Sequence, residues 1–417
     1  MSEAAKAMWS EERVRGVREQ FPILRRQANG RPLVYLDNAA TSQVPRCVTD
    51  TLVQHLCYQN ANIHRGAHTL GEEATEAYEH ARAVLARFIH APKEGYVIFT
   101  SGTTQGINLV ARGMEGHLRP GLAVLVTALE HHSNYLPWQQ LCERTGAQLR
   151  VAGLNERGEI CAERLCRLLE DGRVRICALT ACSNVTGAVT QLEPLIRAAH
   201  RSGALVLVDA AQAARALPLD VRALGADFLA LSGHKMCAPT GTGVLYGTTA
   251  ALNELQLASF GGGMVDGLRG GEAQFSALPE RLEAGTPNIC GAVALARAAE
   301  YLEELGQPAL EERELELTRQ AAQRLAELPG VSVLGSPYTR CGAVSIVHAK
   351  LSSYDLGQML DAQGIATRSG RHCAIPAMRQ LGAESALRVS PAFYNTSAEI
   401  EACASSLERA ICSLERY

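Results

Sequence analysis

The 417-residue sequence lacks several features that mark large classes of proteins. Its 13 cysteines form no C-x-x-C pair, which argues against a disulfide framework and against a zinc or iron–sulfur site, and we expect most of them to be buried. The net charge of -3 and the absence of like-charge runs offer no general attraction for nucleic acid or anionic membranes. No segment approaches the ~18 apolar residues of a membrane span, and residues 1–20 do not read as a secretory signal. We expect a soluble cytoplasmic protein that binds small molecules or other proteins, without a metal.

Short apolar runs alternate with helical patterns between about residues 33 and 247. The runs are YVIFT at 96, LAVLVT at 122, VRICALT at 174, ALVLVD at 204, DFLALS at 227 and VLYG at 244. This alternation predicts an α/β domain with a mostly parallel sheet covered by helices on both faces. The sequence contains no evident internal repeat or low-complexity segment.

The pattern changes after the glycine-rich stretch GGGMVDGLRGG at 261, which we interpret as a mobile loop. Long helices at roughly 290 to 327, short strands in VSVLG and GAVSIVH, and helices after Ser353 and from Ser397 predict a smaller α+β domain. We therefore divide the chain into an N-terminal segment packing with the small domain (1–30), a large α/β domain (31–288) and a small C-terminal domain (289–417).

Two neighbouring strand ends carry an acid and a lysine. One apolar run ends at Asp209, followed by Gln212, and the next leads through Ser232 to Lys235. Ligands usually bind at the carboxyl ends of parallel strands. Pyridoxal phosphate needs a carboxylate for its protonated ring nitrogen and a lysine for its Schiff base. A lone lysine there is usually a surface residue and a lone aspartate a helix cap, so the pairing is what indicates this cofactor.

Three further strand ends carry polar groups that suit the same cofactor. Residues 101–104 form a turn between a strand and a helix, and backbone N–H groups at a helix start favour a phosphate. EHHSN places His131 where it suits ring stacking or proton transfer, and SNVTG places Asn184 at another strand end. Each of these features alone more often has only a structural role. Together, however, five strand ends carry groups that suit the same cofactor.

One cysteine lies in a basic, loop-like segment. The stretch RSGRHCAIP, residues 368–376, places Cys373 beside Arg371 and His372. The thiolate is the nucleophilic form of cysteine, and neighbouring arginine or protonated histidine favours it. We expect Arg368, Arg371 and His372 to supply that positive field. The alternative, a buried inert cysteine, fits this polar context poorly.

In these residues the chain resembles the cysteine desulfurases of the class V aminotransferase family, and most of all their SUF-type and cysteine sulfinate desulfinase branch. The resemblance implies a fold-type I, aspartate-aminotransferase-like homodimer whose large domain has a mostly parallel, seven-stranded-type sheet, with pyridoxal phosphate at the subunit boundary. The matching stretches follow the family's order over nearly the whole chain: YLDNAATSQVP at 35, NIHRGAHTL at 62, TSGTTQGIN at 100, EHHSN at 130, SNVTG at 183, VDAAQA at 208, SGHK at 232, EAGTPN at 283, RSGRHCA at 368 and LRVSPAFYNT at 387.

Carried over residue by residue, the resemblance implies a role for each polar side chain of these stretches. The catalytic residues would be Lys235, which forms the Schiff base, Cys373, which carries a persulfide, and His131, which stacks on the ring. The cofactor would also be held by Asp209 at the ring nitrogen, Gln212 at the phenolic oxygen, Asn184, and a phosphate site of Thr103, Thr104, Ser232, His234 and the other subunit's Thr286. The substrate carboxylate would be held by Arg388, with Asn184, His64 and Arg65 nearby.

The resemblance also implies a reaction and partners. L-Cysteine would become L-alanine while the Cys373 thiolate takes the sulfur as a persulfide. Gly370 and Pro376 suit a loop that carries the sulfur to an acceptor protein of the SUF/CSD sulfur-carrier type, for iron–sulfur cluster assembly or another sulfur-containing product. Either the released Lys235 or His131 would move the substrate's α-proton.

Some positions depart from the usual family residues, although none removes a group that the chemistry requires. These departures leave the sulfur acceptor open, and the preferred substrate is open among L-cysteine, L-selenocysteine and L-cysteine sulfinate. Two alternatives remain: a selenocysteine lyase, cysteine sulfinate lyase or transaminase on the same scaffold, and a non-catalytic interaction protein that keeps the fold. The departing positions are Ser101, Gln105, Cys237, Ala238 and Arg371.

Overall fold

The computed structural model describes residues 9–64, 66–336 and 340–416. Its helices are α1 (Glu11–Glu19), α2 (Arg46–Tyr58), α3 (Thr69–Phe88), α4 (Thr103–Gly113), α5 (Leu136–Thr145), α6 (Ala162–Leu169), α7 (Leu192–Arg201), α8 (Val221–Leu224), α9 (Thr249–Glu254), α10 (Ile289–Leu305), α11 (Gln307–Ala326), α12 (Ser353–Asp361), α13 (Ile375–Gln380) and α14 (Ser397–Leu414). Its strands are β1 (Gln27–Ala28), β2 (Arg31–Pro32), β3 (Val34–Tyr35), β4 (Gly95–Thr100), β5 (Ala123–Thr127), β6 (Gln148–Ala152), β7 (Val174–Thr180), β8 (Leu205–Asp209), β9 (Phe228–Ser232), β10 (Gly243–Thr248), β11 (Val265–Arg269), β12 (Glu272–Phe275), β13 (Val331–Val333), β14 (Val344–His348), β15 (Ile365–Ala366), β16 (Arg368–Gly370) and β17 (Ala386–Val389).

A seven-stranded sheet forms the centre of the larger part of the molecule. Its strand order is β4–β10–β9–β8–β7–β5–β6, and β10 pairs antiparallel with both of its neighbours while β9 through β6 pair in parallel. The predicted mostly parallel sheet is confirmed. Strand β6 was not predicted, because its sequence QLRVA has polar residues at the first and third positions and so forms no continuous apolar run.

Two apolar clusters cover the two faces of this sheet. Neighbouring residues of β10 point to opposite faces, so Val244 belongs to the apolar cluster that contains Leu295 of α10, while Leu245 belongs to the cluster that contains Trp138 of α5. Helix α10 also packs against α2 and α3. The domain boundaries proposed from the sequence place α10 in the small domain and stay a prediction.

A smaller antiparallel sheet with the order β13–β14–β17–β16 forms the C-terminal part, and α11, α12 and α14 pack against it. The α+β character predicted for this region is confirmed. Strand β3 pairs in parallel with β15, and an isolated bridge joins Asp37 to Ser390. These pairings bring the N-terminal stretch of the chain beside β17.

The glycine-rich stretch is partly an ordered hairpin, so its prediction as a mobile loop is wrong. Strands β11 and β12 pair antiparallel, and the turn between them is formed by Gly270 and Gly271 at φ 62° and 89°. Glycine adopts such left-handed angles without a steric cost, which is why the turn is rich in it.

All 13 cysteines are free thiols, and six are buried, four are half-buried and three are exposed. The expectation that most would be buried is therefore wrong. Cys177, for example, is buried, whereas Cys166 is half-buried. Within the described ranges, every helix is too short or too polar to cross a membrane.

Candidate active site

A cavity of about 170 Å³ lies where the carboxyl ends of β7, β8 and β9 meet the C-terminal part of the chain. It brings together polar side chains from distant parts of the sequence. Among the predicted site residues that the structure describes, His64 and Thr286 do not line this cavity, whereas all the others do. The polar lining residues include Thr103, Thr104, His131, Asn184, Asp209, Gln212, Ser232, His234, Lys235, Arg368, Cys373 and Arg388.

Lys235 lies in the short helical turn Gly233–Lys235 that directly follows β9. The turn is fixed because the carbonyl oxygen of His234 accepts hydrogen bonds from the hydroxyls of Thr41 (3.0 Å) and Ser42 (3.1 Å). Burial lowers the pKa of Lys235 to about 8, although the Asp209 carboxylate opposes this shift. The amine is therefore easily deprotonated near neutral pH, as a nucleophile or base requires.

Asp209 is the last residue of β8 and is 4% exposed. One of its oxygens accepts the backbone N–H of Ala211 at 2.9 Å. Burial raises the pKa of Asp209, while that N–H group and Lys235 lower it. Among the described residues it forms no ion pair within 4.0 Å, so this buried carboxyl group is available to a cationic ligand. The neighbouring Gln212 donates its side-chain amide to the carbonyl oxygen of Ala39 at 2.8 Å.

The start of α4 forms a cradle for an anion. The N-cap residue of this helix is Gly102, which has no side chain that could cap it and whose φ of 146° is a glycine conformation. The Ser232 hydroxyl accepts the N–H of Thr103 and donates to the Thr103 hydroxyl, both at 2.8 Å. A Cβ at Gly102 would lie 3.1 Å from that Ser232 oxygen. Burial lowers the pKa of the nearby His234 to about 4, so His234 offers a hydrogen bond and not a charge.

His131 follows β5 and is held by Ser133. Its Nδ1 accepts the backbone N–H of Ser133 at 3.1 Å, which leaves the proton of the neutral ring on Nε2. Burial and the nearby Lys235 lower the pKa of His131 to about 3. The Ser133 hydroxyl also lies 2.7 Å from that of Thr104 and thereby links the ring to the anion cradle. Ser133 belongs to the EHHSN stretch, but sequence reasoning gave it no role.

Glu130, which precedes His131, is a buried carboxyl group that sequence reasoning missed. It accepts hydrogen bonds from the Thr127 hydroxyl (2.6 Å), the Asn134 amide (2.6 Å) and the Thr180 N–H (3.0 Å). Burial raises its pKa to about 8, whereas these three donors favour the ionised form. Glu130 thus joins β5, β7 and the turn that carries His131.

Arg388 lies in β17 and is 2% exposed. Its Nη2 donates to Asp37 Oδ1 at 2.9 Å, and its Nη1 donates to the carbonyl oxygen of Asn184 at 3.0 Å. Its Nε has no partner in the described part of the chain. The side-chain amide of Asn184 donates to the His372 carbonyl oxygen at 2.7 Å, so it braces the cysteine segment.

Cys373 lies on a short connection between β16 and α13 and is exposed. Its carbonyl oxygen accepts the N–H of His132 at 2.7 Å, and the N–H of Ile375 donates to His132 Nε2 at 3.2 Å. His372 and Cys373 have φ angles of 50° and 52°. Left-handed angles at non-glycine residues cost about 1–3 kcal/mol each, and such strain clusters at functional sites. The connection is thus short and anchored, and its predicted role in carrying the sulfur to an acceptor stays a prediction.

His372, one of the three residues predicted to give Cys373 a positive surrounding, carries no positive charge. His372 is 4% exposed, and burial together with Arg388 lowers its pKa to about 3, so the ring is neutral. The expectation that His372 adds a positive charge is therefore wrong. Arg368, which lines the same cavity as Cys373, is the remaining nearby cation among the cavity residues of this segment.

His64 and Thr286 line a second cavity of about 430 Å³ together with Glu283. His64 Nε2 lies 3.3 Å from Glu79 Oε1. Arg65, which was also predicted to lie near the substrate, falls outside the described ranges. Within one chain, neither His64 nor Thr286 therefore reaches the cavity that contains Lys235.

Comparison with known proteins identifies the family. The family described as Aminotransferase class-V matches residues 34–403. A probable cysteine desulfurase of Halalkalibacterium halodurans is 43% identical over 94% of this chain and 97% of its own length. Probable cysteine desulfurase 1 of Mycobacterium leprae is 44% identical over 93% of this chain, but the chain spans 64% of that relative.

Two solved structures have the same fold over nearly their whole length. The apo structure of the cysteine desulfurase from Thermococcus onnurineus is 34% identical with a TM-score of 0.88, and the match covers 94% of this chain and 98% of that one. The cysteine desulfurase CsdA from Escherichia coli, in an S-sulfonic acid form, is 35% identical with a TM-score of 0.87 over 95% and 98%. The chain belongs to the class-V aminotransferase family, and within it to the cysteine desulfurases. The resemblance drawn from the sequence is confirmed to this extent.

Proposed function

We propose that the protein is a pyridoxal-phosphate-dependent cysteine desulfurase that converts L-cysteine to L-alanine and keeps the sulfur on Cys373. The observation that carries this proposal is the meeting of Lys235, Arg388 and Cys373 in one cavity, although they come from the turn after β9, from β17 and from the connection after β16. The similarity to cysteine desulfurases of other organisms supports the same reaction.

The residues of the cavity fit pyridoxal phosphate. Asp209, a buried carboxyl group that forms no ion pair among the described residues, suits the pyridinium nitrogen, and the helix start at Gly102, a residue without a capping side chain, suits the phosphate. When bound, the cofactor supplies an electron-withdrawing ring. Its proposed ligands are Lys235, Asp209, Gln212, His131, Asn184, Thr103, Thr104, Ser232 and His234, joined by Thr286 of a second subunit.

The pKa values favour Lys235 over His131 as the group that moves the substrate's α-proton. Lys235, with its pKa lowered to about 8, is a competent base near neutral pH, and a positioned base of this kind contributes ~100- to 10,000-fold to a rate. His131, with its pKa lowered to about 3, holds a proton far too weakly to act in this way. We therefore assign the proton transfer to Lys235 and leave to His131 a neutral role against the ring.

Sulfur transfer is assigned to Cys373. Arg388 binds the substrate carboxylate through its free donors and thereby orients the substrate sulfur. The Cys373 thiolate attacks that sulfur, an S–S bond forms, and the Cβ–S bond of the substrate breaks. The electron pair of the broken bond goes to Cβ, which takes up a proton and becomes the methyl group of alanine.

The proposed partners are a second copy of the chain and a sulfur-accepting protein. Thr286 and His64 reach a cofactor site only if a partner subunit brings them there, which a homodimer would do. Cys373 is exposed, so an acceptor of the SUF/CSD sulfur-carrier type has access to its persulfide. We propose iron–sulfur cluster assembly as a destination of the sulfur.

The test compares Cys373→Ala with the control Cys412→Ala, because Cys412 is another exposed cysteine. Cys373→Ala should keep the yellow cofactor and bind cysteine, but should form alanine at least ~100-fold more slowly, since the attacking group is gone. Cys412→Ala should turn over like the wild type. Undiminished alanine formation by Cys373→Ala would remove Cys373 from the mechanism. Parallel assays of sulfide, sulfite, selenide and keto acid separate this reaction from the alternatives on the same scaffold.

A further inference from the structure

We propose that Asp37 is the positioning residue that holds the Arg388 guanidinium in the orientation that binds the substrate carboxylate. The inference rests on the proposed function, because that function assigns the carboxylate to Arg388. Asp37 belongs to the YLDNAATSQVP stretch, and sequence reasoning gave it no role.

The contacts of Arg388 leave room for a substrate. A guanidinium has five N–H donors, and the described residues accept from Nη2 and Nη1 only, at Asp37 Oδ1 and the Asn184 carbonyl oxygen. The partnerless Nε is buried, and a buried donor without an acceptor is costly. Asp37 therefore orients the guanidinium from one side and leaves donors free for a carboxylate, so it does not occupy the whole binding edge.

Asp37 is itself fixed by the backbone around it. It forms a bridge with Ser390 of the β17 end, and the next residue, Asn38, donates its N–H and its side-chain amide to the Ser390 carbonyl oxygen at 3.2 and 2.8 Å. On the other side, the N–H of Leu36 donates to the Ala366 carbonyl oxygen at 2.9 Å. The Asp37 carboxylate is thus attached to the same strand end that carries Arg388, and the two keep their relative position.

The charges around Arg388 are consistent with Asp37 as the residue that holds its guanidinium. Burial lowers the pKa of Arg388, and Asp37 is the group that opposes this shift most strongly. Arg368 lies close enough to repel Arg388, and it lines the same cavity. Without the Asp37 acceptor, the guanidinium would be free to turn toward other oxygens and away from the position that the substrate needs.

The experiment compares three variants of the holoenzyme. Asp37→Asn keeps an oxygen where Arg388 Nη2 donates but removes the charge, whereas Asp37→Glu keeps the charge but displaces the oxygen. Asp37→Ala removes both. The measurements are KM and kcat for L-cysteine, and calorimetric binding of 3-mercaptopropionate, which has a carboxylate and a thiol but no amine, against cysteamine, which lacks the carboxylate.

Asp37→Ala and Asp37→Glu should raise KM and weaken 3-mercaptopropionate binding about tenfold or more, the range for one charged hydrogen bond, with kcat within about threefold. Asp37→Asn keeps the hydrogen-bond oxygen and should therefore lose clearly less than Asp37→Ala and Asp37→Glu, and cysteamine binding should not change in any of the three variants. An unchanged or lowered KM in Asp37→Ala and Asp37→Glu overturns the inference, as does an equal loss of cysteamine binding. If Asp37→Ala does not fold, the comparison of Asp37→Asn with Asp37→Glu still tests the role of Asp37.

Arg388→Ala separates this inference from the proposed function. If Arg388→Ala binds 3-mercaptopropionate as tightly as the wild type, the assignment of the carboxylate to Arg388 is wrong. If Arg388→Ala weakens that binding while the Asp37 variants do not, the role of Asp37 alone is wrong.

Discussion

Removing one partner of the buried Arg215–Glu314 ion pair is expected to destabilise the protein strongly. Their side chains are 2% and 1% exposed, and two hydrogen bonds of 2.6 and 2.9 Å join them in a bidentate arrangement. The guanidinium also donates to the carbonyl oxygens of Lys235 (3.3 Å) and Asn38 (3.4 Å). Glu314 lies in α11, so the pair joins this helix to the turn that carries Lys235.

The size of the effect follows from the burial. Glu314→Leu leaves the Arg215 guanidinium buried without its anion, and breaking such a pair costs about 3–5 kcal/mol. This is a large part of the ~5–15 kcal/mol by which proteins are usually stable. The double variant Arg215→Met/Glu314→Leu buries no charge at this position, so it should lose much less than the sum of the two single variants.

The assay is urea unfolding of the wild type, both single variants and the double variant, followed by circular dichroism. Glu193→Leu is the control, because Glu193 forms an ion pair with Arg197 in which the two side chains are 60% and 58% exposed, and its loss should cost about 0–1 kcal/mol. A loss below about 1 kcal/mol in Glu314→Leu would refute the reasoning, as would a double variant that loses the full sum of the single ones.

Three other features of the cavity have measurable consequences. Gly102→Ala should weaken pyridoxal phosphate binding about tenfold in absorbance titrations, because the new methyl group would lie 3.1 Å from the Ser232 hydroxyl in the phosphate cradle; unchanged affinity contradicts the cradle. The pKa of Lys235 is lowered to about 8, so its neutral fraction increases as the pH rises through that value; cofactor uptake by the cofactor-free protein should accelerate there and then level off, and a flat profile would speak against this value. Burial raises the pKa of Cys182 to about 12, so iodoacetamide should label Cys373 well before Cys182. Mass spectrometry of the labelled peptides measures this order, and labelling of Cys182 first would contradict the prediction.

The sequence predicts the parts of the fold that depend on local patterns. Continuous apolar runs mark the buried parallel strands, and the residues directly after them, such as Asp209 and Lys235, fall at one edge of the sheet. The position of these two residues follows from this rule without knowledge of other contacts. Strand β6 was not found in this way, because its sequence is not continuously apolar.

The remaining features depend on contacts between residues that are far apart in the sequence. His372 reads as a basic neighbour of Cys373, but its ring is buried and neutral because of how β16 and β17 pack. The partner of Arg388 is Asp37, which only the pairing of the N-terminal stretch with the β17 end brings near. No local pattern encodes either contact. The anchoring of the Cys373 segment by His132 is likewise not encoded in a local sequence pattern.

The most direct test of the proposed chemistry locates the sulfur after the enzyme has acted once. The holoenzyme is mixed with L-cysteine, its thiols are alkylated at once, and the digested peptides are analysed by mass spectrometry. We predict one additional sulfur atom on the peptide that contains Cys373, in an amount equal to the alanine formed, and no additional sulfur on peptides with Cys57 or Cys412, the other exposed cysteines. Alanine formed without sulfur on Cys373, or with the sulfur on another cysteine, would contradict the proposed mechanism.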